Sequence, residues 1–174
     1  MSGGEGLLCL RQLGERISCR VVGQATMRQS PALRCRIEQA LVSGPITLHV
    51  DLHECVYMDS TFLGMLIMFR RMLVNRHLGQ FALVAPSPEC SRLLRQMGLD
   101  ATFCILAEES SPDVPEELLE SETDAPYSQR NIVEAHQELA ALPGPAGEIF
   151  RDVAAHLQHD WERRQNEPTA AGSG

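Results

Sequence analysis

Asp59 and Ser60 stand where a strand-like segment meets a helix-like one, in the run Asp51-Leu52-His53-Glu54-Cys55-Val56-Tyr57-Met58-Asp59-Ser60-Thr61-Phe62-Leu63-Gly64. A serine at the mouth of a helix can carry a phosphoryl group. Phosphate would bring about −1.5 to −2 charges and strong acceptor oxygens to the positive end of the helix, next to the Asp59 carboxylate. The helix tolerates that charge, whereas an acidic partner surface does not. Phosphorylation could therefore eject a partner by like-charge repulsion and by the cost of desolvating a dianion, without unfolding the domain. The plainer reading is that Asp59 and Ser60 only cap the helix, a role worth about 1 kcal/mol.

Other chemistry has less support. G-x-G-x-x-G, the P-loop, G-x-S-x-G and H-E-x-x-H are all missing from the sequence, so the chain is read as non-enzymatic, without a cofactor. Cys90 to Arg95 is one residue short of the C-x5-R cradle of a thiol phosphatase. His156 and His159 lie three apart on a helical segment, yet no cysteine or third histidine is near them in sequence, so a metal site is not expected. His49, Asp51 and His53 alternate along a strand and could do acid-base work, but read better as a polar sheet face.

The charge pattern narrows the partner class. All 15 basic residues are arginine and the net charge is −8. Eight acids and no base fall between Ala107 and Asp124, and the rest of the chain is balanced. Dispersed arginines in an acidic chain argue against nucleic acid as a partner. The six cysteines form no C-x-x-C pair and follow no signal-peptide pattern, so they are expected to be reduced thiols of a cytoplasmic protein. The longest uncharged apolar stretch, Thr61 to Phe69, is far too short to span a membrane. Oligomeric state is not readable.

The elements that position Asp59 and Ser60 follow from periodicity. Leu7 to Leu10 and Ile17 to Val22 suit a strand pair. Ser30-Pro31 opens a helix with Ser30 as its cap, and Gly44-Pro45 ends it. Ile46, Leu48, Val50 and Leu52 alternate with polar residues as a strand does. Phe62, Leu63, Leu66, Ile67, Phe69 and Leu73 recur at helical spacing, predicting a helix from Ser60 to His77. Phe81 to Ala85 suits a central strand, Pro86-Ser87-Pro88 opens a helix closed by Gly98, and Thr102 to Leu106 suits a last strand. Alternating strands and helices imply one α/β domain over residues 7–106, with a single sheet of four to five strands.

Beyond it, residues 107–126 read as an acidic linker that cannot fold alone. Residues 127–166 read as a helical hairpin, its first helix started by the capping-box pair Asn131 and Glu134. The second helix carries Ile149, Phe150, Val153, Ala154, Leu157 and Trp161, a stripe that packing on the same chain would explain. Residues 167–174 read as a disordered tail.

The strand, loop and Asp-Ser helix start of residues 51–64 resembles the STAS family of anti-sigma factor antagonists. Arg20-Val21-Val22-Gly23 looks like that family's first strand-turn, and Met97-Gly98-Leu99 like the end of its closing helix. The resemblance implies a bacterial partner-switching protein in which Ser60 is the phosphoacceptor, Asp59 orients it, and Thr61 stands at the second serine position. It implies a serine-kinase anti-sigma factor as the partner, met by a face built from Gly23, Gln24, Thr26, Met27, Tyr57, Met58, Thr61 and Phe62. Phe62 departs from the family's usual glycine and sets a large ring at that face. Two rivals keep the fold: an adaptor without phosphoregulation that assembles through its C-terminal helices, and an accessory STAS module of a transport system.

Overall fold

The computed structural model describes residues 6–108, 114–120 and 125–166. Strands β1 (Leu7–Leu13) and β2 (Arg16–Ala25) form an antiparallel hairpin, and helix α1 (Ser30–Val42) leads from it to β3 (Ile46–Met58). Helix α2 (Ser60–Arg70) continues into one π-helical turn, Arg71–Asn75, before β4 (Gly79–Val84), α3 (Pro88–Gln96) and β5 (Ile105–Leu106). Strand β6 (Glu117–Leu118) and helices α4 (Ala125–Ala140) and α5 (Pro145–Asn166) complete the order. The sheet runs β5-β4-β3-β2-β1-β6, with β2 through β5 parallel and β1 and β6 antiparallel to their neighbours.

The alternation in β3 decides which sheet face is buried. Ile46, Leu48, Val50 and Leu52 are at most 4% exposed and join Leu33, Ile37, Phe62, Leu66, Phe69 and Leu94 in one core. Thr47, His49 and Asp51 stay half-buried on the other face and His53 is exposed, with Asp51 accepting from the His53 amide at 2.9 Å. After the π turn, the chain reverses through His77 and enters β4 at Gly79, where an added Cβ would lie 1.7 Å from the Ile46 carbonyl oxygen. No side chain fits that approach.

Three expectations are corrected. Ser30 is the first helical residue and not the cap of α1; its hydroxyl donates to the Thr26 carbonyl at 2.9 Å. Gln29 instead accepts from the Thr26 amide and hydroxyl and donates to the Gly6 carbonyl. Second, the acidic segment is not a bare linker where it is described. Leu118 and Glu117 pair with Cys9 and Leu10, making the sheet six-stranded, and Glu116 meets Arg20 at 2.6 Å and Arg11 at 3.2 Å. Arginines on the polar face of the hairpin neutralise the acid that kept this segment from folding alone.

Third, α4 starts six residues before Asn131, at Ala125-Pro126, where proline suits a first turn. Asn131 and Glu134 are mid-helix, and both turn to Arg34 of α1: Glu134 at 2.5 Å, Asn131 at 3.5 Å. Tyr127 adds a hydrogen bond to Glu38 at 3.0 Å, and Arg71 pairs with Glu138. These ties hold α4 to α1 and to the π-helical turn. Where α4 passes α2, the Ala135 carbonyl oxygen would lie 2.1 Å from a Cβ on Gly64, so glycine permits the close approach of the two backbones. The tail 167–174, with 109–113 and 121–124 of the acidic segment, lies outside the described residues.

Candidate functional site

Met58 ends β3 buried, and Asp59 then turns the chain into α2 with extended backbone angles, φ −84 and ψ 170. Its carboxylate does two jobs. One oxygen accepts from the Phe62 amide at 2.8 Å, capping the helix; the other accepts from the Met27 amide at 2.7 Å. The Asp59 amide donates to the Ala25 carbonyl at 2.9 Å. One residue thus fastens the end of β2, the loop after it and the mouth of α2. A register irregularity between Gly23 and Gln24 sets Gln24 beside Tyr57 and Ala25 beside Met58, so the segments 23–28 and 57–62 lie side by side.

Ser60, half-buried, is the first residue of α2. Its Oγ lies 3.0 Å from Nε2 of His136 on α4, and Nδ1 of that ring lies 2.8 Å from the Ile132 carbonyl oxygen. A carbonyl can only accept, so Nδ1 holds the hydrogen and, in the neutral ring, Nε2 accepts from the serine hydroxyl. Phe150 of α5 meets the imidazole edge-on with centroids 6.1 Å apart. His136 is 6% exposed, so the pair is an interhelix contact in which the histidine is buried and the serine half-buried. Sequence reasoning did not find His136: a lone histidine on an amphipathic helix carries no spacing signal.

The residues expected at a partner face divide in two. Met27 and Tyr57 are about half exposed, and Gly23, Gln24 and Thr26 are half-buried in the same neighbourhood. Met58, Thr61 and Phe62 are 5%, 3% and 0% exposed. Phe62 is therefore a core residue whose ring presents nothing to a partner. The helical stripe it shares with Leu63, Leu66 and Phe69 decides its direction, and the ring expected to obstruct the face is absent from it. Between β3 and α3, Val56, Tyr57, Glu89, Arg92 and Gln96 line a cleft of about 210 Å³ that extends the exposed part of this face.

Among the described residues, no three histidines, cysteines or acids are grouped to hold a metal ion. His156 Nδ1 contacts the Asp152 carbonyl at 2.8 Å, one turn back on α5.

The family model described as "Mlab, STAS domain" matches residues 9–107. Among solved structures, the chain is similar to the anti-sigma factor antagonist SpoIIAA in its unphosphorylated form. Identity is 21% and the TM-score 0.50, over 58% of this chain and 89% of that one. It is also similar to an anti-sigma factor antagonist from Mycobacterium paratuberculosis, at 24% identity and TM-score 0.50, over 60% of this chain and 87% of that one. At such identities the likeness is one of fold. No curated protein matches the chain in sequence.

Proposed function

The chain belongs to the STAS domain family, and on that premise we propose that it is a regulatory, non-enzymatic protein-binding module of the anti-sigma factor antagonist type, switched by phosphorylation of Ser60. The observation that carries this reading is the double grip of Asp59, which holds Ser60 at the mouth of α2 next to the exposed Met27 and Tyr57. A phosphate there puts a dianion beside the exposed Met27 and Tyr57, and burying it under a partner is costly. The partner that fits is a serine-kinase anti-sigma factor, and the compartment the cytoplasm. Among the described residues no helix is long and apolar enough to cross a membrane.

Binding of a serine-kinase anti-sigma factor tests the proposal. Ser60→Ala is expected to bind within about threefold of wild type and Ser60→Asp at least about tenfold more weakly, a difference of about 1.4 kcal/mol. Equal binding by both variants contradicts a switch. It would favour the adaptor reading, which one observation supports: Ser60 already has a hydrogen-bond partner inside its own chain.

A further inference from the structure

We infer that α4 is a built-in cover for Ser60: docked on α2, it holds the serine hydroxyl as a donor to His136, and docking of α4 and phosphorylation of Ser60 exclude each other. The inference deepens the proposed function and rests on Ser60 being its modified residue.

Ser60 and the buried His136 ring are in direct contact. Ser60 Oγ and His136 Nε2 are at hydrogen-bonding distance, 3.0 Å, and one turn further along α2 the Ala135 backbone fills the space a Cβ on Gly64 would need. Phosphoryl transfer forms a bond from Ser60 Oγ to the γ-phosphorus of a nucleoside triphosphate, breaks the bond from that phosphorus to the β-bridging oxygen, and releases the nucleoside diphosphate. The serine proton passes to the kinase's base or to water. The product oxygen no longer carries the hydrogen that His136 accepts, and three further oxygens must be placed beside the His136 ring.

The orientation of the ring is set within α4. His136 Nδ1 is committed to the Ile132 carbonyl, which aims Nε2 at Ser60. A phosphate on Ser60 removes the hydrogen that His136 Nε2 accepts and sets its oxygens against a ring that is 6% exposed and packed on Phe150. Ala135, His136 and Leu139, buried against the core when α4 is docked, become exposed when it lifts. Phosphorylation then does more than repel a partner at Ser60: it uncovers a face of α2 and an apolar face of α4.

Hydrogen exchange on the full chain, with phosphoserine installed at position 60 during translation, reads this out without kinase or partner. The expected result is an increase of at least about tenfold in exchange across 125–140 while β3 and β4 keep their protection. A partial increase is expected for His136→Ala. Unchanged exchange in α4 of the phosphoprotein overturns the inference. If the phosphate instead loosens the whole fold, the drop in unfolding midpoint it causes is compared in wild-type and His136→Ala backgrounds. A drop at least halved by His136→Ala supports a cover that clashes with phosphate, and an equal drop in both overturns it. Neither readout depends on partner switching: a chain that passes here and fails the binding test above has the cover but lacks the switch.

Discussion

Two pieces of the chain beyond residue 107 return to the STAS domain, and they are held by opposite means. Helix α4 is held mainly by packing: Ala135 and Leu139 are at most 1% exposed and its backbone comes within reach of Gly64. Strand β6 is held mainly by charge: two residues pair with β1, and Glu116 spans Arg11 and Arg20 on the half-exposed polar face. Buried contacts persist across solution conditions, whereas exposed ion pairs are screened. The packed piece covers Ser60, and the charged piece closes the far edge of the sheet.

The largest expected effect is on the packed side. Leu139→Ala removes a fully buried side chain from the core that α4 shares with α2, and should cost about 2–5 kcal/mol in denaturant unfolding. Gly64→Ala follows. Alanine gains about 1 kcal/mol of helix propensity, but its Cβ collides with backbone that cannot rotate away. The net expectation is a loss of about 1–3 kcal/mol with faster exchange in α4. A stabilised Gly64→Ala would show that the two helices are not in close contact.

On the charged side, Glu116→Gln should cost only about 0.5–1 kcal/mol, and 1 M salt should erase most of the difference between variant and wild type. The same salt should leave the cost of Leu139→Ala unchanged. Hydrogen bonds from Arg20, then the nearby charges of Arg20 and Arg11, hold the Glu116 carboxyl below its usual range. A depressed acid contributes stability that is full above its unfolded pKa and is lost as pH falls through the folded one. Exchange at the Leu119 amide, which bonds to the Leu8 carbonyl, should therefore rise below about pH 4.5 once corrected for intrinsic rate. Helix α4 should respond less. Burial opposes ionisation of Glu134, but Arg130 and Arg34 outweigh it and hold this carboxyl low, while burial pushes Glu138 up against Arg71. Acid removes stability at the first and relieves a cost at the second. A larger acid response in α4 than in β6 would reverse the contrast.

The contrast also marks what could be read from sequence. Strand alternation in Ile46 to Leu52 and the helical stripe of α2 are local patterns, and both elements start where those patterns put them, although the helix expected to reach His77 turns π-helical at Arg71 and ends at Asn75. The pairing of Glu116 with Arg11 and Arg20 is not local. Residues 107–126 read as unable to fold because nothing in that run shows that two arginines a hundred residues earlier neutralise it. Asn131 and Glu134 have the spacing of a capping box, but they sit inside α4 and serve Arg34. Asp59 and Ser60 were legible because cap and strand end are adjacent in sequence, whereas His136, 76 residues away, was not. Phe62 belongs to two patterns, a motif position and an apolar helical stripe, and the stripe prevails because burying a ring outweighs leaving it on a surface.

The most direct test of the central claim, that Ser60 is the residue through which this chain is regulated, is peptide mass spectrometry of the protein isolated from its native cells during growth and under stress. The account predicts a fraction phosphorylated at Ser60, with the adduct removed by phosphatase treatment. A Ser60 that stays unmodified under every condition would contradict it.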